Sequence, residues 1–169
     1  ALDNFETVKI NAVLIGGEGE AEIPRMVELS RELPVEVRFI ELMPIGECAH
    51  WPEGRFIPNT RVLEAVPELE PCGSSGVARL YSLPNAKGRV GLISPLSSHF
   101  CPECNRIRIT PDGRLKPCLH SAQEIELRGL RGAELDAKLM EGICAKPMRH
   151  HLSAVSPSES LRGMSRIGG

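Results

Sequence analysis

Three cysteines with the spacing of metal ligands are the residues of this sequence best suited to chemistry. Two residues separate Cys101 from Cys104, and Cys118 follows after thirteen more. A C-x2-C pair on a turn can direct two thiolates at one ion, and a hairpin after Cys104 would return the third thiolate to the same place. Soft thiolate ligands favour zinc or an iron–sulfur cluster, and spacing alone does not separate the two.

The number of ligands bears on this choice. Structural zinc usually takes four protein ligands, so His99 or His120 would have to complete a Cys3His set. A [4Fe–4S] cluster held by three cysteines leaves one iron open to a substrate atom. Zinc, iron–sulfur and three buried thiols without a ligand are all open interpretations at this point.

Basic side chains accompany the cysteines on the predicted hairpin. Cys104, Arg106 and Arg108 occupy alternate positions, so an extended chain places them on one face. Lys116 and Cys118 share a face on the returning strand in the same way. Guanidinium groups suit phosphate because they donate two parallel hydrogen bonds. The alternative is an ordinary solvated hairpin face.

Composition excludes several classes of function. The chain has 169 residues, of which 41% are hydrophobic and 25% charged, as in globular proteins. A net charge of −2 gives no support for nucleic acid or a membrane surface as a partner. No apolar run has the length of a membrane span, and residues 1–7 lack the features of a signal peptide. We expect a reducing, cytoplasmic location, in which cysteines are thiols or metal ligands.

The elements that must position these residues begin with a βαβ pattern. Apolar, β-branched runs predict strands over Val8–Ile15 and Val35–Met43, and helical spacing predicts a helix over Glu22–Leu33. This order predicts parallel pairing with a right-handed crossover. Parallel sheets are normally covered on both faces, so more strands are required, and we expect them to precede Ala1.

The rest of the chain is predicted to contain shorter elements. Residues 44–58 are rich in glycine and proline and predict a loop, and the polar tail over residues 153–169 is expected to be mobile. The predicted elements are a helix over Thr60–Val66 capped by Asn59, an antiparallel pair over Ala78–Leu83 and Arg89–Ser94, the cysteine hairpin over Arg106–Thr110 and Arg114–Cys118, and a helix over Gly132–Lys146.

The residues around the cysteines form a specific motif. His99–Thr110 reads HFCPECNRIRIT, and Asp112–Lys116 and Cys118-Leu119 follow it, while Val37–Pro44 upstream reads VRFIELMP. These blocks, in this order, resemble the C-terminal part of the GTP 3′,8-cyclase family, which consists of radical S-adenosylmethionine enzymes of molybdenum cofactor biosynthesis. The resemblance covers essentially the whole chain.

The resemblance implies a fold and an activity. The fold is α/β, with residues 1–58 as the last strands and helix of a partial, incomplete TIM-like barrel. Residues 59–152 are then an α+β cluster-binding region, and residues 153–169 a flexible tail. In the family, an N-terminal [4Fe–4S] cluster cleaves S-adenosylmethionine, and GTP becomes (8S)-3′,8-cyclo-7,8-dihydroguanosine 5′-triphosphate. A second, C-terminal [4Fe–4S] cluster binds the guanine, which leaves zinc as a minor alternative.

Roles for particular residues are implied in the same way. Cys101, Cys104 and Cys118 match the ligands of the second cluster. The other implied roles are contacts to GTP for Lys9, Arg38, Arg106 and Arg108, a contact to S-adenosylmethionine for Met43, and entry of the tail residues Gly168 and Gly169 into the active site. Without the family, Lys9 would be a lysine at a strand edge and Met43 a core residue.

One departure from the family limits what the chain alone is expected to do. The C-x3-C-x2-C motif of the radical cluster occurs nowhere in this sequence, and Cys48, Cys72 and Cys144 are isolated, which is typical of buried thiols. We therefore expect the chain alone to be inactive. The alternatives are a non-catalytic nucleotide- or metal-binding module and a zinc-stabilised interaction domain.

The expected partners follow from the same departure. They are GTP and the N-terminal half of the barrel. Both predicted parallel strands are apolar on their two faces, but the single crossover helix covers only one face of the strand pair. At about 25 cal/mol per Å² of apolar area, the uncovered face would forfeit several kcal/mol. The chain is expected to self-associate as a homodimer, to depend on a complementary chain, or to be marginally folded.

Overall fold

The predicted βαβ unit is present at the start of the chain in the computed structural model, which describes residues 1–167. Strand β1 spans Val8–Leu14, helix α1 spans Ile23–Glu32, and strand β2 spans Val35–Glu41. The two strands pair in parallel, as predicted. Proline lies in the first turn of α1, where its missing N–H breaks no helical hydrogen bond.

Three later strands join this sheet. Strand β3 spans Glu70–Ser75, β4 spans Ala78–Ser82, and β5 spans Arg89–Ile93. The strand order is β1-β2-β5-β4-β3, with β5 parallel to β2 and antiparallel to β4. The expectation that all further strands precede Ala1 is therefore wrong, because β5 pairs with β2 from downstream.

One face of the sheet carries the hydrophobic core of this part of the chain. Helix α1 and the short helix α2, Thr60–Ala65, supply side chains to it. Buried members of this core include Leu14, Ile23, Val27, Val37, Phe39, Val62 and Val90. Asn59 precedes α2 as predicted, but its side chain makes no capping bond and donates instead to the carbonyl of Ile93 and the hydroxyl of Ser94.

The opposite face of β1 and β2 is largely polar. Lys9 and Asn11 are exposed, and Glu36 and Arg38 are partly buried, in alternation with the core residues. The apolar exceptions are Val13, which is 52% exposed, and its partly buried neighbour on β2, Ile40. The expectation of two apolar faces is therefore wrong, and the argument for self-association loses its basis, since α1 and α2 cover the one apolar face.

The chain divides into two units, of which the sheet just described belongs to the first, Ala1–Leu42 with Pro52–Phe100. The second consists of Met43–Trp51 and the chain from Cys101 onward. Gly168 and Gly169 lie outside the described residues. None of the helices within residues 1–167 has both the length and the apolar character that crossing a membrane demands.

The second unit contains a small antiparallel sheet and one long helix. Its strands, in the order β6-β7-β8, span Arg108–Ile109, Arg114–Lys116 and Ile125–Glu126, and helix α3 spans Gly132–Cys144. The predicted hairpin is confirmed with shorter strands, and β8 was not predicted. At Gly142, an added Cβ would lie 1.9 Å from Cδ2 of Leu115, so α3 meets β7 at a position without a side chain.

Candidate metal centre

The predicted metal ligands lie on two segments of the second unit. Cys101–Glu103 form a single 3-10 turn, after which the amide of Cys104 donates to the carbonyl of Cys101 at 3.1 Å. Cys118 comes two residues after the end of β7. All three are free, partly buried thiols. The prediction of buried thiols is wrong for Cys72 and Cys144, which are exposed.

A lysine ammonium connects the two segments. Lys146, just beyond the end of α3, places its Nζ 3.5 Å from Sγ of Cys104, 2.8 Å from the carbonyl oxygen of Arg106 and 3.4 Å from that of Pro117. Pro117 directly precedes Cys118, so one group donates to both cysteine-bearing segments. Lys146 was not predicted as a site residue, although it lies at the end of the predicted helix and in a Lys-Pro pair.

The chemistry of this donor set fits a cysteine-ligated cluster. Three soft sulfur donors are partly accessible, and a positive group lies beside one of them. Zinc would require a fourth protein ligand. One candidate for it, His120, is buried at 8% exposure, with its ring centroid 4.5 Å from that of His150.

A cavity of about 240 Å³ borders Cys118 in the second unit. His120, Arg149, His150 and His151 also line it. The space beside this cysteine is therefore accessible and lined by groups that carry or can accept a proton.

The two predicted phosphate-binding arginines differ in their surroundings. Arg106 is exposed and lies in irregular chain, because β6 begins only at Arg108. Arg108 is partly buried and is paired in register with Lys116. The extended run that would place Cys104 and both arginines on one face is therefore regular strand only at its end.

Lys116 serves the interior of the unit instead of the metal site. It is 1% exposed, and its Nζ donates to the carbonyl of Ser121 at 2.6 Å and lies 3.5 Å from Oε1 of Glu124. An ammonium held by these acceptors is not available to a phosphate. The prediction that it adds a cation beside the cysteines is therefore wrong.

Arg162 joins the same network from the tail. Its Nη1 and Nη2 donate to the two carboxylate oxygens of Asp112 at 2.8 and 2.7 Å, and its Nε and Nη2 donate to those of Glu124 at 2.6 and 2.8 Å. The hydrogen bonds from Arg162 hold the pKa of both carboxyl groups below their usual values. The two carboxylates in turn raise the pKa of the Arg162 guanidinium. This arginine ties the tail to the β6–β7 turn and to the residues before β8.

The other predicted site residues lie on or after the parallel strands. Lys9 and Arg38 are on the polar face of the large sheet, and Nε of Arg38 bonds Oε1 of Glu36 at 2.5 Å and Nη2 bonds Ser75 at 3.2 Å. The structure thus brings Lys9 and Arg38 to one face. Met43, partly buried, lies two residues beyond β2, and its carbonyl accepts from Ile45 at 2.8 Å.

Glu41 is a buried carboxylate that sequence reasoning missed. It is 1% exposed and accepts from the amides of Asn59, Leu96 and Ser97 at 3.0, 2.9 and 3.0 Å and from the Ser97 hydroxyl. Its position at the end of β2, where the carboxyl ends of parallel strands carry function or join loops, was the available signal. The carboxylate fixes both the start of α2 and the chain after β5.

Comparisons with known proteins place the chain in a family. It matches the family described as Molybdenum Cofactor Synthesis C over residues 35–152. Proteins named GTP 3′,8-cyclase from Alkaliphilus metalliredigens and Alkaliphilus oremlandii are 50% and 48% identical to it, each over 96% of this chain and 52% of their own length. One from Pelotomaculum thermopropionicum is 42% identical over 100% of this chain and 55% of its own. The chain spans about half the length of the curated relatives it matches, and it belongs to the Molybdenum Cofactor Synthesis C family.

Proposed function

We propose that this chain is the C-terminal, GTP-binding portion of a GTP 3′,8-cyclase and that Cys101, Cys104 and Cys118 hold a [4Fe–4S] cluster. The observation that carries the proposal is the cysteine set itself, which lies within the family match and whose two segments share the ammonium of Lys146. Bound by three cysteines, such a cluster would offer one open iron to an atom of the guanine.

The activity proposed for the complete enzyme is the conversion of GTP to (8S)-3′,8-cyclo-7,8-dihydroguanosine 5′-triphosphate in molybdenum cofactor biosynthesis. S-adenosylmethionine and a second [4Fe–4S] cluster belong to that reaction. This sequence has no C-x3-C-x2-C motif to hold the second cluster. We therefore propose that this chain alone makes no cyclised product and acts with an N-terminal half of the barrel, in the cytoplasm.

Arg106 and Arg108 are proposed to bind the triphosphate. The carbonyl of Arg106 is held by Lys146 beside Cys104, so its exposed side chain begins next to the proposed cluster. Guanidinium groups suit phosphate oxygens because they donate bidentate, charge-assisted hydrogen bonds. Lys9 and Arg38 are proposed as further GTP contacts, since they share the polar sheet face.

The remaining parts of the proposal concern S-adenosylmethionine, the tail and partner chains. Met43 is proposed to contact S-adenosylmethionine, and Gly168-Gly169 to enter the active site. Within residues 1–167, strand β1 pairs with one neighbour, β2. An N-terminal half is proposed to add strands beside β1, and a homodimer is the other arrangement that would cover this edge.

The test is iron and sulfide analysis of the anaerobically purified chain. We expect about four iron and four sulfide per chain, with visible absorbance. Cys104→Ser should lower the iron content sharply, and the matched control Cys72→Ser should not, because Cys72 is exposed on the edge strand β3. One equivalent of zinc without visible absorbance would replace the proposal by a zinc-stabilised interaction domain. Equal iron loss in both variants would refute the ligand assignment.

A further inference from the structure

We infer that Lys146 is a positioning residue of the proposed cluster, which holds the two cysteine segments together and donates a hydrogen bond to the sulfur of Cys104. The inference rests on the proposed function, because it assigns a role toward the same cluster. It adds a residue outside the cysteine motif, 42 positions from Cys104 along the chain.

The acceptors around the ammonium are unusual for a surface lysine. Its three N–H groups have three acceptors, namely the Cys104 sulfur and the carbonyls of Arg106 and Pro117. Among the described residues, no carboxylate oxygen lies within 4.0 Å of it. Lys138, within α3, instead pairs with Glu141 at 2.6 Å. A neutral thiol is a weak acceptor, whereas a thiolate forms a charge-assisted bond, so this placement suits a cysteine that serves as a ligand.

Helix α3 fixes where this ammonium lies. The amide of Lys146 donates to the carbonyl of Ile143 at 3.3 Å, which continues the last turn of the helix. Farther back, Gly142 lets the helix backbone approach Leu115 of β7 so closely that no Cβ would fit. Since Pro117 and Cys118 directly follow β7, the helix carries the lysine to the end of the strand that delivers the third ligand.

Two consequences for a bound cluster follow from this geometry. A cluster with three thiolates carries negative charge near these sulfurs, and a neighbouring ammonium offsets it. Net charge and hydrogen bonds to ligand sulfurs set the reduction potentials of iron–sulfur clusters, so this bond should stabilise the more negative, reduced state. Residues that hold metal ligands typically change metal affinity by about 10–100-fold when they are lost.

The experiment compares the reconstituted full chain with Lys146→Met, Lys146→Arg and the control Lys138→Met. Iron loss to a ferrous chelator should be about 10–100-fold faster in Lys146→Met, since methionine keeps an unbranched, flexible side chain, one atom shorter, but not the charge or the donors. Lys146→Arg should fall between Lys146→Met and wild type. The midpoint potential, titrated by visible absorbance, should be lower in Lys146→Met and unchanged in Lys138→Met. Circular dichroism of each variant verifies that it is folded.

The iron retention and the midpoint potential of the Lys146 variants together test the inference. An iron-loaded wild type together with a Lys146→Met variant of unchanged iron retention and potential would refute this inference and leave the proposed function standing. Faster iron loss at an unchanged potential would reduce Lys146 to a purely structural role and also refute the sulfur bond. If Lys146→Met fails to fold, Lys146→Arg decides, since it keeps the charge and alters the geometry of the sulfur contact. A wild-type chain without iron would refute both proposals.

Discussion

Replacement of Glu41 tests whether a buried carboxylate organises the ends of the parallel strands. Its two oxygens accept from three backbone amides, those of Asn59, Leu96 and Ser97. Ser97 is exposed, so water can replace its bond in Glu41→Ala, whereas Asn59 is buried and Leu96 is half-buried. Each unsatisfied buried donor costs about 1–3 kcal/mol, so two of them predict a loss of roughly 2–6 kcal/mol. That is a large part of the roughly 5–15 kcal/mol of a typical domain.

Glu41→Gln separates the contribution of shape from that of acceptors. The amide oxygen can keep the bonds that Oε2 accepts from Leu96 and Ser97, while the NH2 group then faces the N–H of Asn59. One donor is left unsatisfied, so the expected cost is about 1–3 kcal/mol, less than that of alanine. The hydroxyl of Ser97 can rotate to accept from the new NH2 group and therefore adds no clash.

The assay is urea unfolding followed by far-ultraviolet circular dichroism, with the free energy extrapolated to water. Glu64→Gln is the matched control, because Glu64 is 59% exposed and pairs with Arg61 on the surface of α2. A change within about 0.5 kcal/mol is expected for it. The reasoning fails if Glu41→Ala behaves like the control, or if Glu41→Gln destabilises the chain as much as Glu41→Ala.

Two further predictions concern arginines. Arg106→Ala and Arg108→Ala should each weaken GTP binding by about 1.5–3 kcal/mol, measured by calorimetry, with guanosine binding far less affected; equal losses for both ligands would assign them to folding. Arg162 lowers the pKa of Asp112 and of Glu124 below their ordinary values of 3.8 and 4.5. The pairing of Arg162 with these carboxylates therefore stabilises the fold fully above pH 4.5, and this stabilisation is lost as the pH falls through the lowered pKa values. When urea unfolding is measured between pH 7 and about 2, the free energy of unfolding should therefore fall less steeply with pH in Arg162→Ala than in wild type or in the control Arg61→Ala. Parallel pH profiles for the three proteins would contradict this.

The elements that could be predicted are those encoded by neighbouring residues. The βαβ unit follows from two β-branched runs and one helical period, and the cysteine hairpin follows from its Pro-Asp-Gly turn. Strand β3 could not be predicted in this way. Its sequence, Glu-Pro-Cys-Gly-Ser-Ser, lacks β-branched residues, and it forms by pairing with β4 at the sheet edge.

The pairing of β5 with β2 could not be predicted from the sequence for a related reason. Its hairpin with β4 is local and was predicted, whereas its parallel pairing with β2 joins segments some fifty residues apart, for example Val37 with Val90. Periodicity identifies a strand but not its partner. For this reason the sequence interpretation placed the missing strands before Ala1.

Long-range contacts also explain what was missed at the candidate site. The cysteines are recognisable because their spacing is local, but the partners of Lys146 and Arg162 are distant in sequence. A lysine after a helix and an arginine in a polar tail look like solvated charges until the fold assigns their acceptors. Conversely, Lys116 looked available from strand alternation, and the fold commits it to Ser121 and Glu124.

The large sheet has a polar face because the fold needs to bury only its other face. Stability requires one apolar face against α1 and α2, and the alternate positions of β1 and β2 provide it. The other positions are then free to be polar, and four of the six are, namely Lys9, Asn11, Glu36 and Arg38. Arg38 is already held by Glu36 and Ser75, so a phosphate arriving there must compete with a carboxylate for the guanidinium, whereas Lys9 is exposed. If this face binds GTP as proposed, Lys9 can therefore bind phosphate directly, and Arg38 can do so with the donors that its bonds to Glu36 and Ser75 do not use, close to the negative charge of Glu36.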